Sequence, residues 1–320
     1  MAHLKQILSY LPEPMQQIIL RMPETDRNAL EEIRCRTECP LELIVSGKRW
    51  VPPEGVAMPI FQKEQARHLL QQLAKYSLYT LDEELRRGYV TIPGGHRIGL
   101  AGHVITENGH VLRLRDVTFF NIRLAKQKVG AALPLVPYLY QRNRWFSTLL
   151  IGAPQTGKTT MLRDLARLVS EGIPDRYLPS RKTAIVDERS ELAGCVDGIP
   201  QNRLGIRADV MDACPKAEGM MMMIRSMSPE VLIVDEIGGA EDTKALLEAL
   251  NAGVAVMASA HGFTFDQLLH RPSIRPLIEA QLFERYVILS RHNSAQKNGC
   301  RLTILDRMGR KMSATEEQWQ

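Results

Sequence analysis

The strongest constraint on the fold is a glycine-rich segment that lies between an apolar run and a run with helical spacing. Residues 152–159 are Gly-Ala-Pro-Gln-Thr-Gly-Lys-Thr, which matches the pattern G-x-x-x-x-G-K-[ST] at every fixed position. The apolar run Ser147–Ile151 precedes the segment, and the helical run Thr159–Ser170 follows it. In this strand–loop–helix context the backbone N–H groups of the loop can face phosphate oxygens. The sequence therefore predicts a phosphate-binding loop, and a glycine-rich turn without a ligand is the alternative.

The motif assigns a chemical role to individual side chains. We expect Lys158 to reach the β- and γ-phosphates of a nucleotide and the Thr159 hydroxyl to ligate Mg²⁺. ATP and Mg²⁺ are therefore the predicted cofactors. The residues expected to contact the nucleotide are Gly152, Ala153, Pro154, Gln155, Thr156, Gly157, Lys158, Thr159 and Thr160.

A pair of carboxylates follows an apolar strand candidate further along the chain. The run Val231–Val234 is expected to be a buried strand, and Asp235 and Glu236 come directly after it. In phosphoryl-transfer sites with this loop, an Asp at a strand end binds Mg²⁺, so Asp235 is the predicted metal ligand beside Thr159. Glu236 is predicted to be the catalytic general base that polarises the attacking water.

Two other strand candidates end in polar residues whose roles the sequence leaves open. Asp187 follows an apolar run and precedes the charged segment 188–191, and ligands of α/β sheets lie at the carboxyl ends of strands. Asp187 or Glu188 could reach the metal or its waters, Glu191 less directly, and a solvated turn is the alternative. His261 follows another apolar run. A polar residue there can contact the γ-phosphate and report hydrolysis, and a structural histidine is the alternative.

From residue 145 onward, short apolar runs alternate with helical stretches. The runs predicted to be strands are Ser147–Ile151, Thr183–Val186, Val231–Val234, Val254–Ala258 and Tyr286–Leu289. The stretches predicted to be helices are Thr159–Ser170, Glu218–Met227, Asp242–Ala252 and Thr264–Leu269. Apolar strands separated by helices are typical of a mostly parallel sheet covered on both faces. The pattern predicts an α/β nucleotide-binding domain at residues 145–320.

The first half of the chain has a different pattern, with helical spacing at its start followed by strand and hairpin signals. Its predicted elements are a strand at Leu41–Val45, a helix at Gln62–Lys75, hairpins around Pro93-Gly94-Gly95 and Asn108-Gly109, and a strand at Asn121–Leu124. These elements predict a smaller α+β domain at residues 1–130. The prolines of residues 131–144 predict a linker or lead-in helix between the two domains.

Composition excludes several classes of protein. The 320 residues are 44% hydrophobic and 24% charged, close to the average for globular proteins, which excludes a disordered or fibrous chain. No stretch approaches the roughly 18 apolar residues that a membrane-spanning helix needs. The five cysteines lack the spacing of a zinc site, so we expect reduced thiols in the cytosol.

The residues around the motifs closely resemble one protein family. The segments that carry the resemblance are Asp187–Glu191, Cys214–Met220 and Ala258–Gly262 around the site, and 31–45, 88–105 and 121–125 in the first half. They resemble the stage III sporulation AA family of endospore-forming bacteria, which is similar in turn to the hexameric ATPases of type II and type IV secretion and pilus systems. The resemblance covers nearly the whole chain.

The resemblance implies a RecA-like or AAA+ P-loop ATPase domain in a homo-hexamer. It implies a motor that powers assembly of, or transport through, the channel joining mother cell and forespore. The partners would be membrane proteins of that channel complex. The motor would lie in the mother-cell cytoplasm, peripheral at the membrane through a partner and without direct membrane insertion.

The resemblance also implies roles for individual residues. In the secretion ATPases the carboxylate-rich strand end and the histidine segment line the nucleotide site, which implies catalytic roles for Glu188 and His261. Those ATPases place arginines of the N-terminal domain against the nucleotide. Arg97 and Arg123 match these arginines best, and they are the predicted arginine fingers that act on a neighbouring subunit; Arg207 is the fallback in the ATPase domain.

Two other functions compete with the secretion-type motor. An ATP-dependent nucleic-acid-binding or translocating RecA-like protein is the main alternative, since the chain carries a net charge of +5 and basic residues cluster at 113–128. An aromatic content of 6% argues against stacking platforms for single strands, so nucleic acid is not the expected partner. A small-molecule kinase is the second alternative, and the adjacent Asp235 and Glu236 favour water activation over it.

Overall fold

A computed structural model describes residues 2–74, 85–291 and 300–312. The chain forms two units, each with its own sheet and hydrophobic core. The first unit is Met1–Lys126 together with Gly194–Gln201, and the second is Gln127–Ala193 together with Asn202–Gln320. Among the described helices, none combines the length and the apolar character that a membrane span requires.

The first unit combines helices with a six-stranded antiparallel sheet. Its helices α1–α4 are Ala2–Leu8, Glu13–Leu20, Glu24–Ala29 and Lys63–Ala74. Its strands β1–β8 are Leu30–Arg36, Cys39–Pro40, Glu42–Val45, Lys48–Arg49, Ile60–Phe61, Tyr89–Ile92, His96–Glu107 and His110–Arg123. The sheet has the strand order β4-β3-β1-β8-β7-β6, and β2 pairs separately with β5.

One face of this antiparallel sheet is apolar and the other is polar, because successive side chains of a strand point to opposite faces. In β1, Ile33 and Cys35 are fully buried, whereas Arg34 and Arg36 stay partly exposed. Burial raises the pKa of the Cys35 thiol to about 12, so this cysteine is a neutral core residue. Helices α1, α2 and α4 contribute buried residues to the same core as the sheet. The α+β arrangement predicted for this half is confirmed.

Two long strands form the hairpin that dominates the first unit. β7 and β8 pair along their length across the turn at Asn108 and Gly109, whose φ angles are both positive (51° and 77°). The hairpin predicted around residues 93–95 is confirmed between β6 and β7. The separate strand predicted at Asn121–Leu124 is wrong, because residues 121–123 are the end of β8 and Leu124 lies just after it. Bulges near Gly102 let the pairing continue through a local bend instead of ending there.

The second unit is built on a seven-stranded sheet with the order β13-β12-β14-β15-β11-β16-β17. Strands β9–β17 of this unit are Tyr140–Gln141, Arg144–Trp145, Thr148–Gly152, Thr183–Asp187, Ala208–Asp212, Val231–Glu236, Ala255–His261, Arg285–Arg291 and Cys300–Asp306. Helices α5–α10 are Val136–Leu139, Lys158–Glu171, Lys216–Met227, Ala240–Asn251, Phe265–Leu269 and Arg275–Glu279. Neighbouring strands of this sheet are parallel except β16 and β17. The predicted mostly parallel sheet is confirmed.

The five strands predicted for this sheet correspond to β11, β12, β14, β15 and β16. The two edge strands of this sheet, β13 and β17, are not predicted by the sequence pattern. Every residue of β13 is only half-buried, and the first two residues of β17 are exposed. Strands with this much exposure need no continuous apolar run, so neither has the pattern that marks a buried strand. The central strands are buried on both faces and therefore consist almost entirely of apolar residues.

The segment 131–144, predicted to be a linker or a lead-in helix, is packed into the second unit and is not a linker between the units. It contains a 3-10 turn at Leu133–Leu135, then α5 and β9, and it buries Ala132 and Leu139 completely. The backbone N–H of Ala132 donates to Asp164 Oδ2 at 2.8 Å. Its prolines begin short helical turns, as proline does in a first turn, and the boundary between the units lies at Lys126.

The segment Gly194–Gln201 groups with the first unit although it lies between β12 and β13 in the sequence. Within the first unit, Gly94 N–H donates to Gln201 Oε1 at 3.0 Å. Within the second unit, Asn202 N–H donates to the carbonyl of Ala193 at 3.0 Å, which closes the base of this excursion. The domain predicted at residues 145–320 therefore does not include Gly194–Gln201, which belong to the first unit.

Candidate functional site

The glycine-rich loop joins β11 to α6, and its backbone adopts conformations that constrain its residues. Gly157 has φ of 97°, in the left-handed region that glycine tolerates best. A Cβ added to Gly152 would collide with the Thr156 hydroxyl and would lie 3.2 Å from the carbonyl oxygen of Leu289. Thr156 Oγ1 donates to the carbonyl of Ala153 at 2.8 Å, which stabilises the curl of the loop.

Lys158 is the first residue of α6, and its side chain folds back over the loop. Its Nζ donates to the carbonyl of Gly152 at 2.8 Å and to that of Ala153 at 3.2 Å. Only 7% of the residue is exposed. Nζ also lies 3.9 Å from Glu236 Oε2. The ammonium group is thus held at the mouth of the loop, between its carbonyls and a strand-end carboxylate.

The other predicted nucleotide contacts lie in the loop and in the first turn of α6. Thr159 and Thr160 are half-buried in the first turn of α6, so their side chains lie at the start of the helix. Pro154 and Gln155 are exposed at the tip of the loop, and Gln155 has a positive φ of 61°. The tip of the loop at Pro154 and Gln155 is therefore open to solvent.

Asp235 and Glu236 lie at the end of β14, and β15 separates this strand from the loop strand β11. Asp235 is 6% exposed, whereas the Glu236 side chain is 45% exposed. Burial raises the pKa of Asp235, and the nearby Glu191 carboxylate raises it further, while the Lys216 ammonium opposes the shift. The structure thus brings Glu236 and Lys158 together, and the buried Asp235 precedes Glu236 directly in sequence.

Asp187, at the end of β12, holds the backbone of the loop that follows this strand. It is completely buried, and its two oxygens accept the backbone N–H groups of Glu191, Leu192 and Ala193 at 2.8 to 2.9 Å. Burial raises its pKa to about 6 despite these hydrogen bonds. The sequence left open whether Asp187 or Glu188 contacts a metal. In the structure both oxygens of Asp187 are bonded to the loop that follows β12.

Glu188 is turned towards the helix α7. Its Oε2 forms an ion pair with Lys216 Nζ at 2.7 Å, and its side chain is 37% exposed. The sequence analysis assigned no role to Lys216. A lysine close to a strand-end carboxylate is visible only in the fold, because 28 positions separate the two residues.

Arg163 is a second cation that the sequence analysis missed. It lies on α6, and its guanidinium donates to the carbonyl of Leu192 at 2.9 Å and to that of Glu191. Burial lowers its pKa, and the charges of Asp187, Glu191 and Asp235 act in the opposite direction. Arg163 therefore ties the loop after β12 to the helix of the phosphate-binding loop.

His261 ends β15 and lies opposite Gly152 in the parallel register with β11. It is half-buried, and its ring contacts Phe263 edge to face at a centroid distance of 5.9 Å. Two residues earlier, Ser259 is 1% exposed, and its hydroxyl has no hydrogen-bond partner in the described part of the chain. Both residues lie on the strand between the loop strand and the Asp235 strand.

The predicted finger arginines belong to the first unit. Arg97 and Arg123 are register partners on β7 and β8. The Arg97 guanidinium lies 3.4 Å from the centroid of the Tyr89 ring, and Arg123 Nε lies 3.7 Å from Glu32 Oε1. The two side chains therefore form one basic patch on the polar face of the antiparallel sheet.

Arg207, the alternative candidate for an arginine finger, lies at the opposite end of the parallel sheet from the glycine-rich loop. It directly precedes β13, and its guanidinium donates to the carbonyl of Ser180 at 2.7 Å. Parallel strands begin at this end of the sheet, whereas the loop lies where they end. Arg207 is therefore far from the site in its own chain.

The charges at the carboxyl ends of the strands fit a nucleotide with a divalent cation. The carboxylates there are Asp187, Glu188, Glu191, Asp212, Asp235 and Glu236. They outnumber the cations Lys158, Arg163, Arg189 and Lys216 at the same edge. Carboxylate and hydroxyl oxygens are the ligands that Mg²⁺ prefers, and the Lys158 ammonium at the loop complements the negative charge of a phosphate. The residues present therefore fit both groups.

Solved structures with a similar fold include an ATPase and a pilus retraction motor. The Legionella pneumophila ATPase DotB aligns over 92% of this chain and 82% of its own, at 15% identity and a TM-score of 0.58. The pilus retraction motor PilT, solved with bound ADP, aligns over 94% of this chain and 84% of its own, at 14% identity and a TM-score of 0.61. The predicted RecA-like P-loop ATPase fold is confirmed.

Sequence similarity identifies the family. The stage III sporulation protein AA of Bacillus subtilis strain 168 is 56% identical over 313 residues, which cover 98% of both chains. The family described as "Sporulation stage III, protein AA" matches residues 1–312. By both the extent and the level of this similarity, the chain belongs to the stage III sporulation protein AA family.

Proposed function

We propose that the chain is a Mg²⁺-dependent ATPase that powers assembly of, or transport through, the channel between mother cell and forespore. The observation that carries this proposal is the position of Lys158. Its ammonium lies over the glycine loop and 3.9 Å from Glu236 Oε2. A cation between a phosphate-binding loop and an acidic strand end is suited to phosphoryl transfer to water.

Binding begins with the loop and Lys158. The ammonium exchanges the carbonyls of Gly152 and Ala153 for oxygens of the β- and γ-phosphates. The backbone N–H groups of the loop, which Pro154 lacks, would donate to the same oxygens. Because Lys158 is already held at the mouth of the loop, little side-chain ordering is needed when the nucleotide binds.

Thr159 and Asp235 would bind the metal ion. When bound, Mg²⁺ neutralises charge that develops on the β- and γ-phosphate oxygens. Burial of Asp235 disfavours its ionised form in the absence of a cation, so a divalent ion and the Lys216 ammonium both favour ionisation. Positive charge near Asp235 therefore favours the ionised carboxylate that would bind the metal.

Hydrolysis requires a group that takes the proton of the attacking water. Glu236 has this role: it is the exposed carboxylate beside Lys158, and water reaches an exposed group. Glu188 is the second carboxylate of the site and His261 its γ-phosphate contact. Arg97 and Arg123 supply positive charge from a neighbouring subunit of a homo-hexamer.

The family and the fold support a proposed cellular location. Membership in a sporulation family and a fold shared with the ATPase DotB and the pilus retraction motor PilT support a motor in the mother-cell cytoplasm. Such a motor would act at the membrane through protein partners of the channel complex.

ATP hydrolysis by two variants tests the proposal. Lys158→Ala should abolish nucleotide binding, because it removes the charge that contacts the β- and γ-phosphates. Glu236→Gln should keep nucleotide binding and lose hydrolysis, because only the proton acceptor changes. Phosphate release by Glu236→Gln at the wild-type rate would exclude Glu236 as the general base, and wild-type protein without Mg²⁺-dependent ATP hydrolysis would exclude the function.

A further inference from the structure

The second unit contains a cavity at the end of its parallel sheet that lies opposite the glycine-rich loop. Its volume is about 350 Å³, which is within the range of sites that bind small molecules. Ser147, Val231 and Ala255 line it beside the first residues of β11, β14 and β15, whereas the glycine-rich loop follows the last residue of β11. The cavity is therefore separate from the candidate nucleotide site.

Part of the cavity wall is apolar. The aliphatic side chains that line it are Val231, Leu250, Val254 and Leu282, of which Leu250 is half-exposed and the others are buried. Trp145 also lines the cavity and is only 2% exposed. Its indole N–H has no hydrogen-bond partner in the described part of the chain. A buried donor without a partner is unfavourable, so an acceptor oxygen within reach of this group would stabilise the wall.

The charged residues of the wall carry one more positive than negative charge. They are the three arginines Arg144, Arg181 and Arg307 and the two glutamates Glu230 and Glu284. Arg181 pairs with Glu230 at 2.8 Å. The Nη1 and Nη2 atoms of Arg144 donate to the two oxygens of Glu284 at 2.8 and 2.5 Å. Two of the three guanidinium groups are thus balanced by carboxylates of the cavity itself.

Arg307 supplies the excess positive charge. Among the residues that the structure describes, its guanidinium has one ion pair, with Glu284 Oε1 at 3.4 Å, which is longer than an ordinary N–H···O hydrogen bond. The same oxygen already accepts from Arg144. The Arg307 side chain is 49% exposed, so its guanidinium can turn towards an anion without breaking the closer pair of Arg144 and Glu284.

We propose that this cavity binds a small carboxylate with an apolar body, either a free acid or the carboxy terminus of a peptide. The carboxylate pairs with Arg307, because a guanidinium can donate two parallel hydrogen bonds to it. The apolar body contacts Leu250 and the buried aliphatic side chains, and its removal from water stabilises the complex. The inference is independent of the proposed ATPase function, since no residue of the cavity belongs to the proposed catalytic site.

Isothermal titration calorimetry of the full chain without nucleotide tests the inference with two matched pairs of probes. Hydrocinnamate and its amide represent a free acid. N-acetyl-leucyl-phenylalanine and its carboxy-terminal amide represent the end of a peptide. At least one carboxylate should bind wild type about tenfold more tightly than its own amide, because only the carboxylate is attracted by the Arg307 charge.

Two variants separate the charged from the apolar part of the site. Arg307→Met should weaken binding of the carboxylate about tenfold and leave binding of the amide unchanged, because it removes the charge and keeps an aliphatic stem. Leu250→Trp should weaken binding of both probes, because the larger side chain fills part of the cavity. Arg275→Met is the matched control: Arg275 lies on α10 outside the cavity, is 63% exposed and pairs with Glu279 at 2.7 Å. This variant should bind both probes as wild type does.

Three results would overturn the inference. The first is that wild type binds neither carboxylate, and the second is that it binds each carboxylate no more tightly than its amide. The third is that Arg307→Met binds the carboxylate with wild-type affinity. If Arg307→Met does not fold, Leu250→Trp takes its place, and undiminished binding of the carboxylate by that variant would equally exclude this cavity as the site.

Discussion

Replacing Asp187 by asparagine should change how the stability of the protein depends on pH. The carboxyl is completely buried at the end of β12 and accepts three backbone N–H groups. Burial nevertheless raises its pKa from 3.8 to about 6. The folded state therefore prefers the protonated carboxyl. The stability that this preference contributes is complete below about pH 4 and is lost as the pH rises through 6.

The size of the effect follows from the two pKa values. A difference of about two units, at 1.36 kcal/mol per unit, corresponds to about 3 kcal/mol over the whole transition. Because the unfolded carboxyl has already begun to ionise at pH 5, about 1.4 kcal/mol of this should be lost between pH 5 and pH 8. Asparagine does not titrate, so Asp187→Asn should lack this loss.

Urea unfolding of wild type and Asp187→Asn at several pH values between 5 and 8 measures the effect. The free energy of unfolding of wild type should fall, relative to that of the variant, by about 1.4 kcal/mol across this range. Asp175→Asn, a change of an exposed aspartate in the same unit, should leave the pH dependence unchanged. Parallel curves for wild type and Asp187→Asn would show that the buried carboxyl has an ordinary pKa and would refute the reasoning.

Two further predictions concern the phosphate-binding loop and the proposed subunit interface. Gly152→Ala should lower the free energy of unfolding by about 1–3 kcal/mol, because its Cβ would collide with the Thr156 hydroxyl; unfolding at the same urea concentration as wild type would show that the loop is looser than the structure indicates. Mixing Glu236→Gln subunits with Arg123→Ala subunits should restore part of the ATPase activity that each lacks alone, because one kind of interface then pairs an intact site with an intact finger. Two inactive variants that stay inactive when mixed would argue against an arginine acting between subunits.

The position of the glycine-rich loop and the existence of the central strands could be predicted from the sequence because both depend on local patterns. Glycines and Lys158 at fixed spacing predict the loop between β11 and α6. Continuous apolar runs mark strands that are buried on both faces. The buried parallel strands β11, β12 and β14 accordingly match their predicted positions, whereas the half-buried edge strand β13 was not predicted.

The partners of individual side chains were decided only by the tertiary structure. Nothing in the local sequence distinguishes Asp187, which is buried and caps a loop, from Glu188, which pairs with Lys216. The strand order β14-β15-β11 sets which residues meet at the loop, and it arises from crossovers between distant segments. Arg163 and Lys216 become part of the site for the same reason: their neighbours are close in space and far apart in sequence, so only packing of the whole sheet brings their charges together.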